Sequence, residues 1–336
     1  MYRLNSYVEG SLKGSVTFTN QLTGEYEYFE FTVKVVGVEI FDIVTLEAPV
    51  RQSSKHVVVL ENPLGATQSI TMGPGNAITT ADQWWTCDSK DVRVNELRPI
   101  SGNLEGSFEV EYRPTVLTPN MQAQERVLKI LTKELGDFLI KLILIAQPPV
   151  GRPKLYFNIS LGKTQIEYFV FSAYNRVKCE YSCSVSDSAV FNVQKTLAVD
   201  AISKWEGETL RLAVTFDPSE VGECRDVLKV LHQDGGSYDC DLVAICSPPQ
   251  PQGPFSIAAG SSVPIPFRNC FTSSVVWSFS IDSPNFKLAS SSTTVAAKTD
   301  ATCVVTFEPK IPGSNTAKLF ITSGANPPRV FYLRGT

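Results

Sequence analysis

Two stretches of this 336-residue chain share one frame, Phe-x-Pro-x3-Gly-x5-Leu. The first runs through Phe216, Pro218, Gly222 and Leu228, the second through Phe307, Pro309, Gly313 and Leu319. Each is preceded by alternating β-formers, Leu212-Ala213-Val214-Thr215 and Cys303-Val304-Val305-Thr306. Each is followed by a second such run, Val227 to Leu231 and Ala317 to Ile321. In physical terms a strand ends, proline fixes φ and removes a donor, and glycine turns the chain into an antiparallel return strand. An earlier, weaker copy ends a strand at Tyr112-Arg113-Pro114 and resumes at Val127 to Leu131. It carries about four inserted residues and lacks the glycine.

The aromatic residues of successive copies, Tyr112, Phe216 and Phe307, lie 104 and 91 residues apart. That spacing is one immunoglobulin-type sandwich. Matching first halves support the period. Asn175 and Asn269 each follow an aromatic strand and precede another with a large ring (Tyr181, Trp277), and Asn62-Pro63 takes that place earlier. Apolar return strands close the units at Leu139 to Ile145, Asp241 to Ile245 and Val330 to Leu333, with Asp234-Gly235-Gly236 as a tight-turn signal. Short proline-rich joints, Gln147-Pro148-Pro149 and Ser247 to Pro251, are stiff spacers rather than tethers.

The expected architecture is therefore all-β: tandem immunoglobulin-like sandwiches over 44–147, 148–249 and 250–336, in an elongated array. Residues 1–43 read as the C-terminal half of a further sandwich, from Ser15 to Thr19 and Tyr26 to Val36. Two strands alone are marginal in water, so upstream sequence and a longer array are expected. The only competing helical pattern is a weak one near Met121 to Leu131.

Composition excludes several functions. A net charge of −4 with no run of like charges disfavours a nucleic-acid partner, which needs a concentrated cationic surface. The most apolar run, Phe138 to Ala146, is a strand's length and contains Lys141, far short of the roughly 20 residues of a membrane-spanning helix. Met1 to Ser6 has no apolar export stretch, so the eight cysteines are expected free and mostly buried. The alternative is an exported adhesion or carbohydrate-binding array with paired cysteines.

No catalytic, cofactor or metal residues are expected. His56 falls in a strand pattern and His232 at a turn, and no nucleophile elbow, phosphate loop or His-Glu-x-x-His occurs. Cys179 and Cys183 lie an even number of residues apart and share a strand face, and Cys240-x5-Cys246 does not match zinc-knuckle spacing. Trp84-Trp85 is the candidate partner contact. Strand alternation turns one of two neighbours outward, and exposed tryptophan anchors interfaces.

The frame resembles the hydin-like ASH and major-sperm-protein group of immunoglobulin-like domains, which carry a Phe-x-Pro-x3-Gly turn ahead of a Leu-x-hydrophobic strand in units of about 100 residues. The two C-terminal repeats resemble it well and 44–147 fairly. The group includes cilia- and flagella-associated proteins of the axonemal central pair apparatus that are needed for motility. The resemblance thus implies a non-enzymatic scaffold of the cytoplasmic, cytoskeletal axoneme, contacting other ciliary proteins through strand edges and loops, with no membrane span or small-molecule substrate. Related membrane-contact adaptors bind acidic phenylalanine peptides through a basic strand face. No Lys/Arg cluster repeats here at equivalent positions, and that adaptor role at centrosome or membrane contacts is the alternative.

Overall fold

The structure, a computed structural model, describes residues 9–36, 39–73, 84–309, 315–324 and 327–336. It divides into two compact units, residues 1–150 and 151–336. The first begins with a hairpin of β1 (Gly10–Thr19) and β2 (Tyr26–Val35), paired from Gly10 opposite Val35 to Thr19 opposite Tyr26. Most of its side chains are exposed, Phe18, Phe29 and Phe31 among them.

Seven further strands complete that unit: β3 (Ile40–Pro49), β4 (Ser54–Glu61), β5 (Trp85–Cys87), β6 (Val92–Arg98), β7 (Glu105–Tyr112), β8 (Gln124–Thr132) and β9 (Gly136–Gln147). They form two sheets, in the orders β3-β9-β8-β5 and β4-β7-β6. Alternate residues of both sheets point into one core, with Leu60, Phe108, Val110, Leu128, Ile130 and Leu142 fully buried. The weak helical pattern near Met121 to Leu131 is strand instead. Val127 to Leu131 pairs with β9, and burying Leu128 and Ile130 at alternate positions outweighs local propensity. The four inserted residues hold a single 3-10 turn at Pro119–Met121, where Asn120 and Met121 take positive φ in place of the missing glycine.

The second unit contains two sandwiches with one plan. The first comprises β10 (Lys154–Ser160), β11 (Gln165–Ala173), β12 (Cys179–Ser184), β13 (Phe191–Val193), β14 (Thr196–Val199), β15 (Glu208–Phe216), β16 (Gly222–His232) and β17 (Gly236–Ser247). The next comprises β18 (Gln252–Ile257), β19 (Ser262–Arg268), β20 (Val275–Ile281), β21 (Phe286–Leu288), β22 (Ser292–Val295), β23 (Asp300–Phe307), β24 (Thr316–Thr322) and β25 (Arg329–Gly335). The sheet orders β10-β17-β16-β12-β14 and β11-β15-β13 recur strand for strand as β18-β25-β24-β20-β22 and β19-β23-β21. In all three sandwiches the first strand joins the last in parallel, and the other pairings are antiparallel.

A buried asparagine ties backbone segments together in each sandwich. Asn269 is fully buried; its Nδ2 donates to the carbonyls of Ser273, Val295 and Ala296, while its Oδ1 accepts from the N–H of Phe271. Asn62 repeats the device, with Nδ2 donating to Gly65 and Asn103 and Oδ1 accepting from Leu64, and Asn175 donates to Val177 and Asp200. The side chain supplies partners to backbone groups of loops and strand ends, which gives a polar residue its place in an apolar core. Asn269→Leu, which removes all four of its side-chain bonds while Ser274 Oγ and Thr299 Oγ1 still donate to the Val295 and Ala296 carbonyls, should lower stability by about 2–4 kcal/mol, read as a fall in the urea midpoint at constant m.

Candidate interaction surfaces

The frame residues occupy equivalent places. Tyr112, Phe216 and Phe307 end β7, β15 and β23 with buried rings, and Leu128, Leu228 and Leu319 are buried on the return strands. Phe216 packs against Phe191 at 5.1 Å and Phe157 at 5.5 Å, and Phe307 against Phe286 at 4.9 Å. Pro114 and Pro218 are buried and Pro309 is exposed. Gly222 opens β16 at φ +137°, with open space where a Cβ would stand, so backbone conformation rather than crowding demands glycine there. Gly313 lies outside the described residues.

The residue between the aromatic and the proline of the frame carries the chemistry of a joint. Asp217 of the second sandwich accepts from Arg268 Nη2 of the third at 3.0 Å. Its carbonyl accepts from Lys298 Nζ at 2.7 Å, and its carboxylate lies 3.5 Å from that amine. Lys298 sits at φ +55°, a conformation residues with a Cβ seldom adopt, where its amine reaches the neighbouring sandwich. The equivalent residues form pairs inside their own sandwiches: Arg113 with Glu111 at 3.1 Å and Glu308 with Lys287 at 3.9 Å.

Two more features bind the joint. Cys270, in the connection from β19 to β20, is fully buried in the apolar cluster of the second sandwich, and Phe271 packs against both clusters. Arg329, at the start of β25, is 6% exposed. It donates to the Arg268 carbonyl and to Cys270 Sγ, and lies 4.8 Å over the Trp277 ring. A Cβ on Gly162, in the turn from β10 to β11, would stand 2.9 Å from that guanidinium. Burial pulls the Arg329 guanidinium below its usual range and pushes the Cys270 thiol up, and their contact partly offsets both shifts.

Trp84 and Trp85 are both half-buried and both pack on the core of the first sandwich, Trp84 against Phe108 at 5.1 Å. Trp277 is a core residue, as its strand pattern implies. All eight cysteines are free, six of them buried, with Cys87 and Cys224 half-buried. Burial pushes the Cys240, Cys246 and Cys303 thiols to about 11. His232 caps the β16–β17 turn, its Nδ1 accepting from the N–H groups of Asp234 and Gly235 at 3.1 Å each. His56 is exposed on β4. Among the described residues no three His, Cys, Asp or Glu side chains converge as a metal site, and no helix is long and apolar enough to cross a membrane.

No family model matches the chain. It is 31% identical over 328 residues to the hydrocephalus-inducing protein of Mus musculus, covering 96% of this chain, and 30% identical over 348 residues to the Homo sapiens homolog, covering 99%. The chain is hydin-like. It spans 6% of the length of each relative. Among solved structures, the hydin-like chain is similar to the D00-D0 domain of Intimin (15% identity, 54% of this chain and 96% of that one, TM-score 0.25). It is also similar to domains A168-A170 from titin (11% identity, 87% and 94%, TM-score 0.24). With scores that low, the immunoglobulin-like assignment rests on the sheet order and pairing of the chain itself.

Two outcomes follow from this geometry. A thiol reagent on the native hydin-like chain at neutral pH should modify the half-buried Cys87 and Cys224 first, slowly because burial raises both thiols, and the other six only after denaturation, read by mass spectrometry of the labelled peptides. Asp217→Ala should destabilise the joint by about 2 kcal/mol, read as faster amide hydrogen exchange over Asn269 to Phe271 while exchange in β4 and β7 is unchanged.

Proposed function

We propose that the chain is a non-enzymatic structural scaffold of the ciliary or flagellar axoneme, in its central pair apparatus, holding neighbouring proteins in place for motility. The observation that carries this is the similarity to the hydrocephalus-inducing protein along 96% of the chain, joined to the built joint around Asp217. A charged clamp, a cysteine inserted in the neighbouring core and an arginine laid on the neighbouring turn suit a part whose task is to hold a fixed geometry. Partners are other ciliary scaffold proteins, met at strand edges and loops, with the half-buried Trp84 and Trp85 as a further contact.

The domain limits belong to the same proposal: sandwiches over 44–147, 148–249 and 250–336, with the exposed β1–β2 hairpin as the C-terminal half of another. An apolar hairpin gains little stability alone, and a second sheet over Phe29 and Phe31 would bury what is now exposed.

The test is localisation of the tagged full-length protein in ciliated cells with proximity labelling. Labelling confined to axonemal central-pair neighbours, and loss of beating on deletion of the gene, are expected. A diffuse or centrosomal signal with normal beating would overturn the proposal.

A further inference from the structure

The three sandwiches present one equivalent edge in three chemical forms. β4, β11 and β19 each lie at the edge of their three-stranded sheet. The pairings Ser54 with Tyr112 and Gln165 with Phe216 set their register, and Ser262 opposite Thr306 puts β19 in step with them. The solvent-facing row is then Lys55, Val57, Val59 in β4; Ile166, Tyr168, Val170 in β11; and Ser262, Pro264, Pro266 in β19.

An edge strand offers unpaired N–H and C=O groups to any extended chain, and proteins blunt such edges with lysine or proline. β19 is blunted by two prolines, whose nitrogens must point away from β23 because they pair with it without an N–H. β4 is blunted at Lys55, which is paired with Glu109 at 2.9 Å. β11 has neither device. Its outward residues are apolar and half-exposed, Ile166 at 53%, Tyr168 at 49% and Val170 at 51%. Backbone direction and side-chain direction both alternate with period two, so these residues also aim their N–H and C=O groups at the free edge. At the start of β11 the Asn158 N–H of β10 donates to Gln165 Oε1 at 2.9 Å.

We propose that β11 is a strand-addition site. A partner protein's extended segment pairs with residues 166–170, placing apolar side chains beside Ile166, Tyr168 and Val170. Arg211 favours an acidic occupant. It lies on the neighbouring strand β15, opposite Val170 in the pairing, and leans over the Tyr168 ring at 4.9 Å, so it gives the outer face beside the apolar row a positive charge. Backbone pairing supplies affinity, and the apolar row with its single cation supplies register. The proposal rests on the scaffold reading only in naming a protein partner.

The experiment grafts the third sandwich's own solution onto the second. A phage library of nine-residue peptides, alternating apolar and polar residues with glutamate permitted at every polar place, is selected on the full chain. Binding of enriched peptides is then measured by fluorescence anisotropy. Expected are glutamate-containing peptides whose affinity falls at least tenfold on Tyr168→Pro/Val170→Pro and on Ile166→Lys, and severalfold on Arg211→Glu. The proline pair removes only N–H groups that do not face β15, and circular dichroism checks its fold. Should it fail to fold, Ile166→Lys and Tyr168→Lys query the same edge. No enrichment, enriched peptides indifferent to these variants, or a wild-type dimer in sedimentation that the variants abolish would overturn the proposal. A protein that binds such peptides at β11 but lies outside the cilium would sink the axonemal assignment and leave the edge standing; the reverse result would do the opposite.

Discussion

One buried ring holds each sandwich of the second unit closed. Phe216 ends β15 in the three-stranded sheet and meets Phe157 of β10 in the five-stranded sheet, with Phe191 of β13 stacked beside it. Burying a phenylalanine is worth roughly 1.5–3 kcal/mol, and a ring that touches both sheets applies that energy to their separation and angle. Phe307 does the same in the next sandwich, so close to β25 that a Cβ on Gly335 would overlap the ring. The proline two residues on stops the strand at the ring, and the turn follows from where the ring must be.

The joint depends on that turn. Because Phe216 is fixed in the core and Pro218 is buried, Asp217 is held at the end of the sandwich with its carboxylate and carbonyl facing Arg268 and Lys298. A repeat that makes the same turn with arginine, as at Arg113, cannot clamp in this way. The three copies thus share one fold-defining element and differ in the one residue of it that faces outward. The same division separates β4, β11 and β19, whose inward residues are alike and whose outward rows are one lysine with two valines, wholly apolar, and proline-bearing.

Much of this was legible in the chain. The strand-ending aromatics, the return-strand leucines, the hairpin at β1 and β2 and the buried cysteines follow from period-two alternation and turn chemistry, which are local. The weak helical pattern near Met121 failed because periodicity over a few residues is ambiguous until a neighbouring strand exists to pair with. Trp84 and Trp85 show a similar limit. Alternation turns one of two neighbours outward only inside a strand, and Trp84 precedes β5, so both rings lean on the core.

By itself the sequence determined the all-β class, the period of the repeat and the residues that end and restart its strands, because those depend on backbone conformation and on burial of near neighbours in the chain. Tertiary structure alone decided that Asp217 meets Arg268 and Lys298, residues 51 and 81 positions away, and that Cys270 lies in a neighbour's core. It also decided which strands stand at sheet edges. Sheet order brings distant segments together through pairings that no local pattern encodes, so an apolar row such as Ile166, Tyr168 and Val170 becomes a surface only once its strand is left without a neighbour.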